Sequence, residues 1–496
     1  MPFDRAIDVF VGQIMRERVV QLLVKRLAEH THHPSGGPQR LKYTEVAISV
    51  PYAYYVLLPR TPIAPLEHTS AREEDMNPDT HLLYEYMNKL PYTVRMKVRL
   101  DAPVEATLLS DAAQEAIARL PYFSVRVGVD ESQSYTLDHN DMPIAVLPEK
   151  DERLVLGSDE VNGHLFAITY RNDCVWFNFS HAVCGAHGAL FWVKATLYLY
   201  LCKVHGPLDA PADIHLPGTD VADEEVAYPD EATLPHDAPS SHYEGDSNVA
   251  IMRSLKYLFN PFVKDDNYYY QLEIPADTFM DYVTKVGGTP NTVLTAAMFK
   301  VAYRYFKEKK GTHLSGRIAA DYRADLGAEA SYRDFVRFIH VRYEWDMRDD
   351  PVEKLSAVAR RAIAEQNQPE LGRERFFKIN EVHRGIDEQP TLKKKKRFAL
   401  SHSAFRSDPR DPWSVSYVGK VDWGGMAPYI KDVYTISDGD LILEVNALVD
   451  HFDIAFQVFN KDERPLRLFC EVLGEEGIPY VVSERLTRYL PKIQLP

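Results

Sequence analysis

The stretch NFSHAVCGAHGALF, residues 178–191, sets two histidines and a cysteine among small residues. The run before it, CVWFNFS (174–180), reads as a strand, and an apolar helix begins near Gly188. His181 therefore stands at a strand end, in a turn built from Ala182, Val183, Cys184 and Gly185. A histidine fixed there has few neighbours to block one ring nitrogen, and histidine as a residue type titrates near neutrality. Those are the requirements of a general base. Gly185, Ala186 and Gly188 leave room for a ligand to approach the backbone. Two other readings stand beside this one. His181 is a core histidine bonded to a main-chain carbonyl, or Cys184 is a nucleophile with His181 or His187 as its base. On a turn, residues three apart such as His181 and Cys184 need not face each other.

Two further groups carry charge or open backbone. Lys393 to Lys396, followed by Arg397, form a basic run suited to phosphate or to an acidic partner surface. The plain alternative is a solvated loop. Asn291 and Thr292 follow Pro290 at the start of a helix, where backbone N–H groups can meet a phosphate. There the plain alternative is a helix cap, with Thr289 as N-cap and Pro290 in the first turn.

The elements that must position these residues follow from periodicity. TVRMKVRL, from Thr93, alternates as a strand; a helix follows over 104–120 and a second strand over 123–129. HLFAITYR (164–171) and CVWFNFS pair around Asn172-Asp173 as a hairpin, and a helix over 188–203 closes this half. Residues 206 to about 248 are rich in proline and acids and read as a crossover. The second half begins with a strand at 268–275, then helices over 276–286 and from 290 to about 309. Strands at 317–323 and 335–345 and a helix over 352–367 come next. Beyond the basic run lie strands at 413–420, 432–436, 440–447 and 451–458 and a helix over 463–476. Residues 4–29 read as an amphipathic helix, packed on the body or offered to a membrane surface or partner. The histidines of HTHHPSGGPQR (30–40) lie in a loop without metal-site geometry.

The expected division is an N-terminal extension (1–90), a first subdomain (91–205), a crossover (206–250) and a second subdomain (251–496). No repeat of 20–50 residues is present. The expected fold class is α/β of the α+β kind: two halves, each a mixed sheet flanked by helices.

Composition agrees with a globular chain. Of 496 residues, 45% are hydrophobic and 26% charged, which excludes a disordered, collagen-like or disulfide-scaffold protein. Fifty-seven basic against 72 acidic residues give a net charge of −15, which argues against nucleic acid as a partner. Four cysteines at no metal-ligand spacing imply free thiols in a reducing compartment. No run is long enough for a membrane span, and Asp4, Arg5 and Asp8 interrupt the opening residues, so a cytoplasmic protein is expected.

Four segments in order carry a resemblance. Ser180-His181-Ala182-Val183-Cys184-Gly185-Ala186 lies between a strand and an apolar helix, where one superfamily has (His)-His-x-x-x-Asp-Gly. Asp321-Tyr322-Arg323-Ala324-Asp325-Leu326 matches an Asp-x-Arg-x-x-Leu segment. RDFVRF (333–338) is like a Gly-Asn-Phe segment without its Gly and Asn. SVSYVGKVDWGG (414–425) is like a Ser-Tyr-x-Gly strand and keeps part of Asp-Phe-Gly-Trp-Gly. Over roughly residues 92–480 the chain resembles the chloramphenicol-acetyltransferase-like acyltransferases, which include peptide-condensation domains, BAHD acyltransferases and alcohol acetyltransferases.

The resemblance implies direct acyl transfer from a thioester to an alcohol or amine, with His181 as general base. It implies Ser416, or the adjacent Tyr417, as donor to the oxyanion. It implies two subdomains that meet at a central cleft, which Ser180, Cys184, Gly185, Tyr417, Asp422 and Trp423 would line. Asn291, Thr292, Lys393 and Lys394 would meet the donor, either acyl-CoA or the phosphopantetheine of an acyl carrier protein. No tightly bound cofactor or metal is implied. Ser180 replaces the family's first histidine, and Gly185-Ala186 replaces Asp-Gly. The family's aspartate braces the turn and pairs with an arginine of the other half, here Arg323, which must then rely on Asp321, Asp325 or another acid. Two alternatives remain: a binding module that has lost turnover with the aspartate, and a stand-alone condensation enzyme.

Overall fold

The computed structural model describes residues 80–228, 267–306, 313–402, 411–458 and 462–496. All belong to one compact unit, residues 76–496. The readings made for residues 4–40 lie outside the described residues. The first half runs α1 (His81–Glu85), β1 (Thr93–Leu100), α2 (Ala106–Arg119), β2 (Val125–Val129), β3 (Tyr135–His139), β4 (Ala145–Pro148), β5 (Val155–Leu156), β6 (Phe166–Arg171), β7 (Cys174–Ser180) and α3 (Ala186–His205). Alternation explains β1: Val94, Met96, Val98 and Leu100 are buried in the first core. On α2, Leu109, Ala112, Ala113 and Ala116 make a narrow apolar stripe of small residues, buried in that core with α3. Asn172 takes a left-handed conformation (φ 54°), as a two-residue hairpin turn between β6 and β7 requires.

The second half runs β8 (Asn267–Pro275), α4 (Ala276–Lys285), α5 (Pro290–Phe306), β9 (Leu314–Asp321), β10 (Val336–Tyr343), α6 (Val352–Gln366), α7 (Pro369–Asp387), α8 (Leu392–His402), β11 (Ser414–Lys420), β12 (Ile430–Ile436), β13 (Ile442–Ala447), β14 (His451–Val458), α9 (Arg464–Glu475), β15 (Val481–Arg488) and β16 (Lys492–Ile493). Helix α7 has no counterpart in the sequence reading, and the basic run forms helix α8 instead of a loop. On α8, the Lys395 ammonium donates to the Asp387 carbonyl and Lys396 lies over the Tyr135 ring, while Lys393, Lys394 and Arg397 face solvent.

Two sheets organise these elements. One has the order β10-β9-β11-β13-β14-β8-β15, wholly from the second half. The other has the order β12-β1-β7-β6-β4. Its first strand comes from the second half: β12 pairs antiparallel with β1, from Arg95 opposite Ile436 to Arg99 opposite Asp432. The DWGG segment makes this crossing. Trp423 is buried in the first core, and Gly424 (φ 51°) lies where a Cβ would come within 2.8 Å of the Asp209 carbonyl.

The described part of the crossover, residues 206–228, is anchored by a buried acid. Glu225 accepts a bidentate pair from Arg119 at 2.9 and 2.7 Å, both side chains being about 5% exposed. Arg119 also donates to Thr219 Oγ1 and to the Asp220 carbonyl. Burial alone would raise the Glu225 pKa, but the hydrogen bonds from Arg119 and Tyr332 outweigh it and hold it at about 2. Removing one partner of such a pair leaves a buried charge and costs about 3–5 kcal/mol. Glu225→Gln should therefore lower stability near neutrality by that order. A carboxylate with a depressed folded pKa stabilises above its unfolded value, near 4.5, and loses that contribution as pH falls towards 2. In urea unfolding, the gap between wild type and Glu225→Gln should be full at pH 6 and shrink steadily below pH 4.5.

Candidate active site

His181 is the residue after β7, and main chain fixes its place. Its N–H donates to the Tyr92 carbonyl at 2.7 Å, and Tyr92 holds a left-handed conformation (φ 48°). The turn that follows is braced at every residue from Ser180 to Val183. Ser180 Oγ accepts from the Ala182 N–H (3.2 Å), the Val183 N–H donates to the Ser180 carbonyl (3.2 Å), and the Tyr122 hydroxyl donates to the Val183 carbonyl (2.6 Å). Ser180 is thus a buried bracing residue. Cys184 is wholly buried in the first core, which does not suit a nucleophile that must meet substrate. None of the four cysteines is in a disulfide.

The other half meets this turn through the loop between β9 and β10. Tyr332 is fully buried in the first core, against Phe123 and Phe191 at ring separations of 5.1 Å. Its N–H donates to the Glu225 carbonyl at 2.8 Å, and its hydroxyl donates to the Glu225 carboxylate. Two glycines make the approach possible. A Cβ on Gly188 would fall 1.9 Å from the Tyr332 carbonyl oxygen, and one on Gly185 would fall 2.7 Å from Asp334 Oδ1. Asp334 thus fills the space a side chain at 185 would take. Its Oδ1 accepts from the Val336 N–H at 2.9 Å, and its Oδ2 lies 3.5 Å from His181 Nδ1. That is ion-pair range, slightly beyond a well-formed hydrogen bond. The His181 side chain is 31% exposed.

His187, the second residue of α3, ties the halves again. Nδ1 contacts the Asp321 carboxylate and Nε2 the Val418 carbonyl at 2.9 Å. Asp321 also pairs with Arg323 at 2.9 Å. Burial pushes the Asp321 pKa up, but the His187 bond and the Arg323 charge prevail and hold it below the usual carboxylate value. Arg323 is nearly buried and spends its remaining donors on the carbonyls of Ser331 (3.0 Å) and Arg333 (3.3 Å). Asp321 and Arg323 therefore support the loop that delivers Asp334.

The remaining residues singled out by sequence fall in several places. Ser416 is half-buried on β11, two residues before the carbonyl that His187 meets. Tyr417 alternates to the other face, packs with its ring tilted against Phe452 at the second core, and has its pKa raised by burial. Asp422 accepts from the Gly424 N–H at 2.9 Å, and with Trp423 it shapes the turn between the sheets. At the start of α5, the Thr292 N–H meets Thr289 Oγ1 and the Thr292 hydroxyl meets Ser356 Oγ at 2.8 Å, which is capping and packing chemistry; Asn291 is beside them. Lys393 and Lys394 are exposed in the first turn of α8.

Among the described residues, one group has metal-ligand composition: Asp432, His451 and Asp453, with ligand atoms within 4.8 Å of one another. Arg99 already pairs with Asp432, and His451 lies 3.3 Å from Asp453 and 2.7 Å from Asp450. The Asp453 hydrogen bond lifts the His451 pKa to about 9, and burial lifts Asp453 to about 6, so the charges answer one another. On β1, Thr93 faces Ser180 while Arg99 faces Asp432, six residues away. At about 3.4 Å per residue the cluster is roughly 20 Å from the His181 turn.

Solved structures share this architecture. The trichothecene 15-O-acetyltransferase of Fusarium sporotrichioides matches over 81% of this chain and 93% of its own, with TM-score 0.53 and 11% identity. The first condensation domain of the CDA synthetase matches over 82% and 98%, with TM-score 0.50 and 13% identity. Polyketide synthase associated protein 5 from Mycobacterium tuberculosis matches over 77% and 93%, with TM-score 0.51 and 11% identity. The chain thus has the two-subdomain fold of the chloramphenicol-acetyltransferase-like proteins. No family model matches the sequence, and no curated protein does. No described helix is long and apolar enough to cross a membrane.

The glycine contacts give a direct test. A Gly→Ala change inside a helix ordinarily stabilises by about 0.5–1 kcal/mol. Gly188→Ala should do the reverse and destabilise by about 1–3 kcal/mol, because a backbone carbonyl occupies the new methyl's place. A lower urea midpoint than wild type, with Ala186→Gly as the control for helix propensity, is the expected result.

Proposed function

We propose that this chain is an acyltransferase that moves an acyl group from a thioester to a hydroxyl or amine acceptor, with His181 as general base. The observation that carries this reading is the geometry of His181: a strand-end imidazole on a fully braced turn, partly exposed, where the two halves meet. Such a ring is held where a substrate proton can reach it. In the proposed reaction, His181 Nε2 accepts the acceptor's proton as its oxygen or nitrogen attacks the thioester carbonyl. The tetrahedral intermediate then collapses, the carbon–sulfur bond breaks, and the thiolate recovers the proton from Nε2. No covalent enzyme intermediate is involved. The developing oxyanion needs a donor, and Ser416 Oγ is the proposed one. Supporting that assignment, the end of its strand meets the start of α3 through His187 and Val418. The likeness in fold to an O-acetyltransferase and a condensation domain adds weight to acyl transfer over other chemistries. Acyl-CoA is the proposed donor, with a carrier-bound phosphopantetheine thioester as the other arm of the test.

Purified protein should release free thiol from a panel of acyl-CoA donors faster when alcohols or amines are added. His181→Ala should lower that acceptor-dependent rate about 10²–10⁴-fold while unfolding at the wild-type urea concentration. Near-normal turnover by a folded His181→Ala protein would sink the assignment. Thioester binding without acceptor-dependent release, from both CoA and carrier donors, would identify a binding module.

A further inference from the structure

The turn lacks the carboxylate that the resemblance led one to expect at position 185, yet a carboxylate is present. Asp334 arrives from the other half of the chain, 153 residues after His181, into the volume a side chain at 185 would occupy. Its two oxygens have different tasks. Oδ1 is anchored by the Val336 N–H at 2.9 Å, and Oδ2 faces His181 Nδ1 at 3.5 Å. His181 Nδ1 is buried and has no hydrogen-bond partner among the described residues, and the Asp334 carboxylate stands within ion-pair range of it. We propose that Asp334 is the positioning residue for His181: its carboxylate receives the Nδ1 proton and leaves Nε2 free to take a proton from the acceptor. The inference rests on the reading of His181 as general base. An imidazole whose Nδ1–H is held by an acceptor is fixed in tautomer and in rotation, and a misplaced tautomer presents a donor where catalysis needs a lone pair. Gly185 is the complement of this arrangement. Its backbone (φ −80°, ψ −179°) is open to any residue, so the Asp334 side chain is what a Cβ there would meet first.

The geometry makes Asp334→Asn informative. Its carbonyl oxygen can keep the Val336 N–H, so the loop remains closed, and its amide nitrogen then faces His181 Nδ1. A donor at that place favours the Nε2–H tautomer. In protein labelled with ¹⁵N-histidine, the His181 ring, assigned by its loss in His181→Ala, should be an Nδ1–H tautomer in wild type at pH 8. It should be predominantly Nε2–H in Asp334→Asn. Acceptor-dependent kcat should fall about 10²-fold, with KM for the thioester within about twofold and unchanged urea unfolding. A residue with a purely structural role would not move the tautomer. The double variant Gly185→Asp/Asp334→Gly should be more stable than Gly185→Asp alone, because the blocking side chain is gone and an aspartate at the N-cap is favourable. Unchanged tautomer and kcat in folded Asp334→Asn, with His181→Ala inactive, would overturn this inference alone. An active His181→Ala protein would overturn the base assignment and this one with it.

Discussion

Glu225 holds three separate stretches of chain at one point. Its carboxylate takes both prongs of Arg119 from α2 and the hydroxyl of Tyr332, and its carbonyl takes the Tyr332 N–H. Arg119, Glu225 and Tyr332 are all buried, so losing one of them leaves buried polar groups of the others unsatisfied. The chain around Glu225, the first core and the β9–β10 loop are consequently fixed as one object. From Tyr332 the chain needs only two residues to bring Asp334 beside His181. Tyr332 Oη, the Ser331 and Arg333 carbonyls and the Val336 N–H are all engaged, so the loop has little freedom to present its carboxylate elsewhere.

The seam between the halves is polar where it meets the turn and apolar behind it. His187 illustrates the constraint. Both of its contacts, the Asp321 carboxylate and the Val418 carbonyl, come from the other half of the chain. Asp321 is in turn shared with Arg323. Small residues at 185 and 188 are the steric counterpart: they let backbone and carboxylate from one half press on the helix start of the other.

Much of this was legible in sequence, for identifiable reasons. The alternation of TVRMKVRL and the Asn172-Asp173 turn give the strands around the site, and a histidine at a strand end between small residues marks the turn itself. Asp334 left no such mark, because a single acid in RDFVRF looks like any loop residue. The available signal was indirect: a motif lacking its acid raises the question of which distant acid takes its place. Glu225 was hidden by composition, being one of several acids in a stretch that reads as solvated linker. Helices α7 and α8 are so rich in charge that their apolar positions form no clear stripe. The period-2 pattern of 432–436 announces a strand without saying which sheet it joins, since pairing is decided by partners far away in sequence.

That last point bears on how the chain is made. Strand β1 has β7 on one side and β12 on the other, and β12 ends at Ile436. During synthesis the outer edge of β1 is complete long before its partner leaves the ribosome. At about 5–20 residues per second the interval is on the order of half a minute. Throughout it, the nascent sheet offers a row of unpaired N–H and C=O groups, the kind of edge that invites pairing with another chain. Arg95, Lys97 and Arg99 alternate along β1. In the finished protein Arg95 pairs with Glu149, Arg99 pairs with Asp432, and Lys97 is buried. On the unfinished one they are a run of like charges along an open edge, which discourages two nascent copies from joining there until the proper strand arrives.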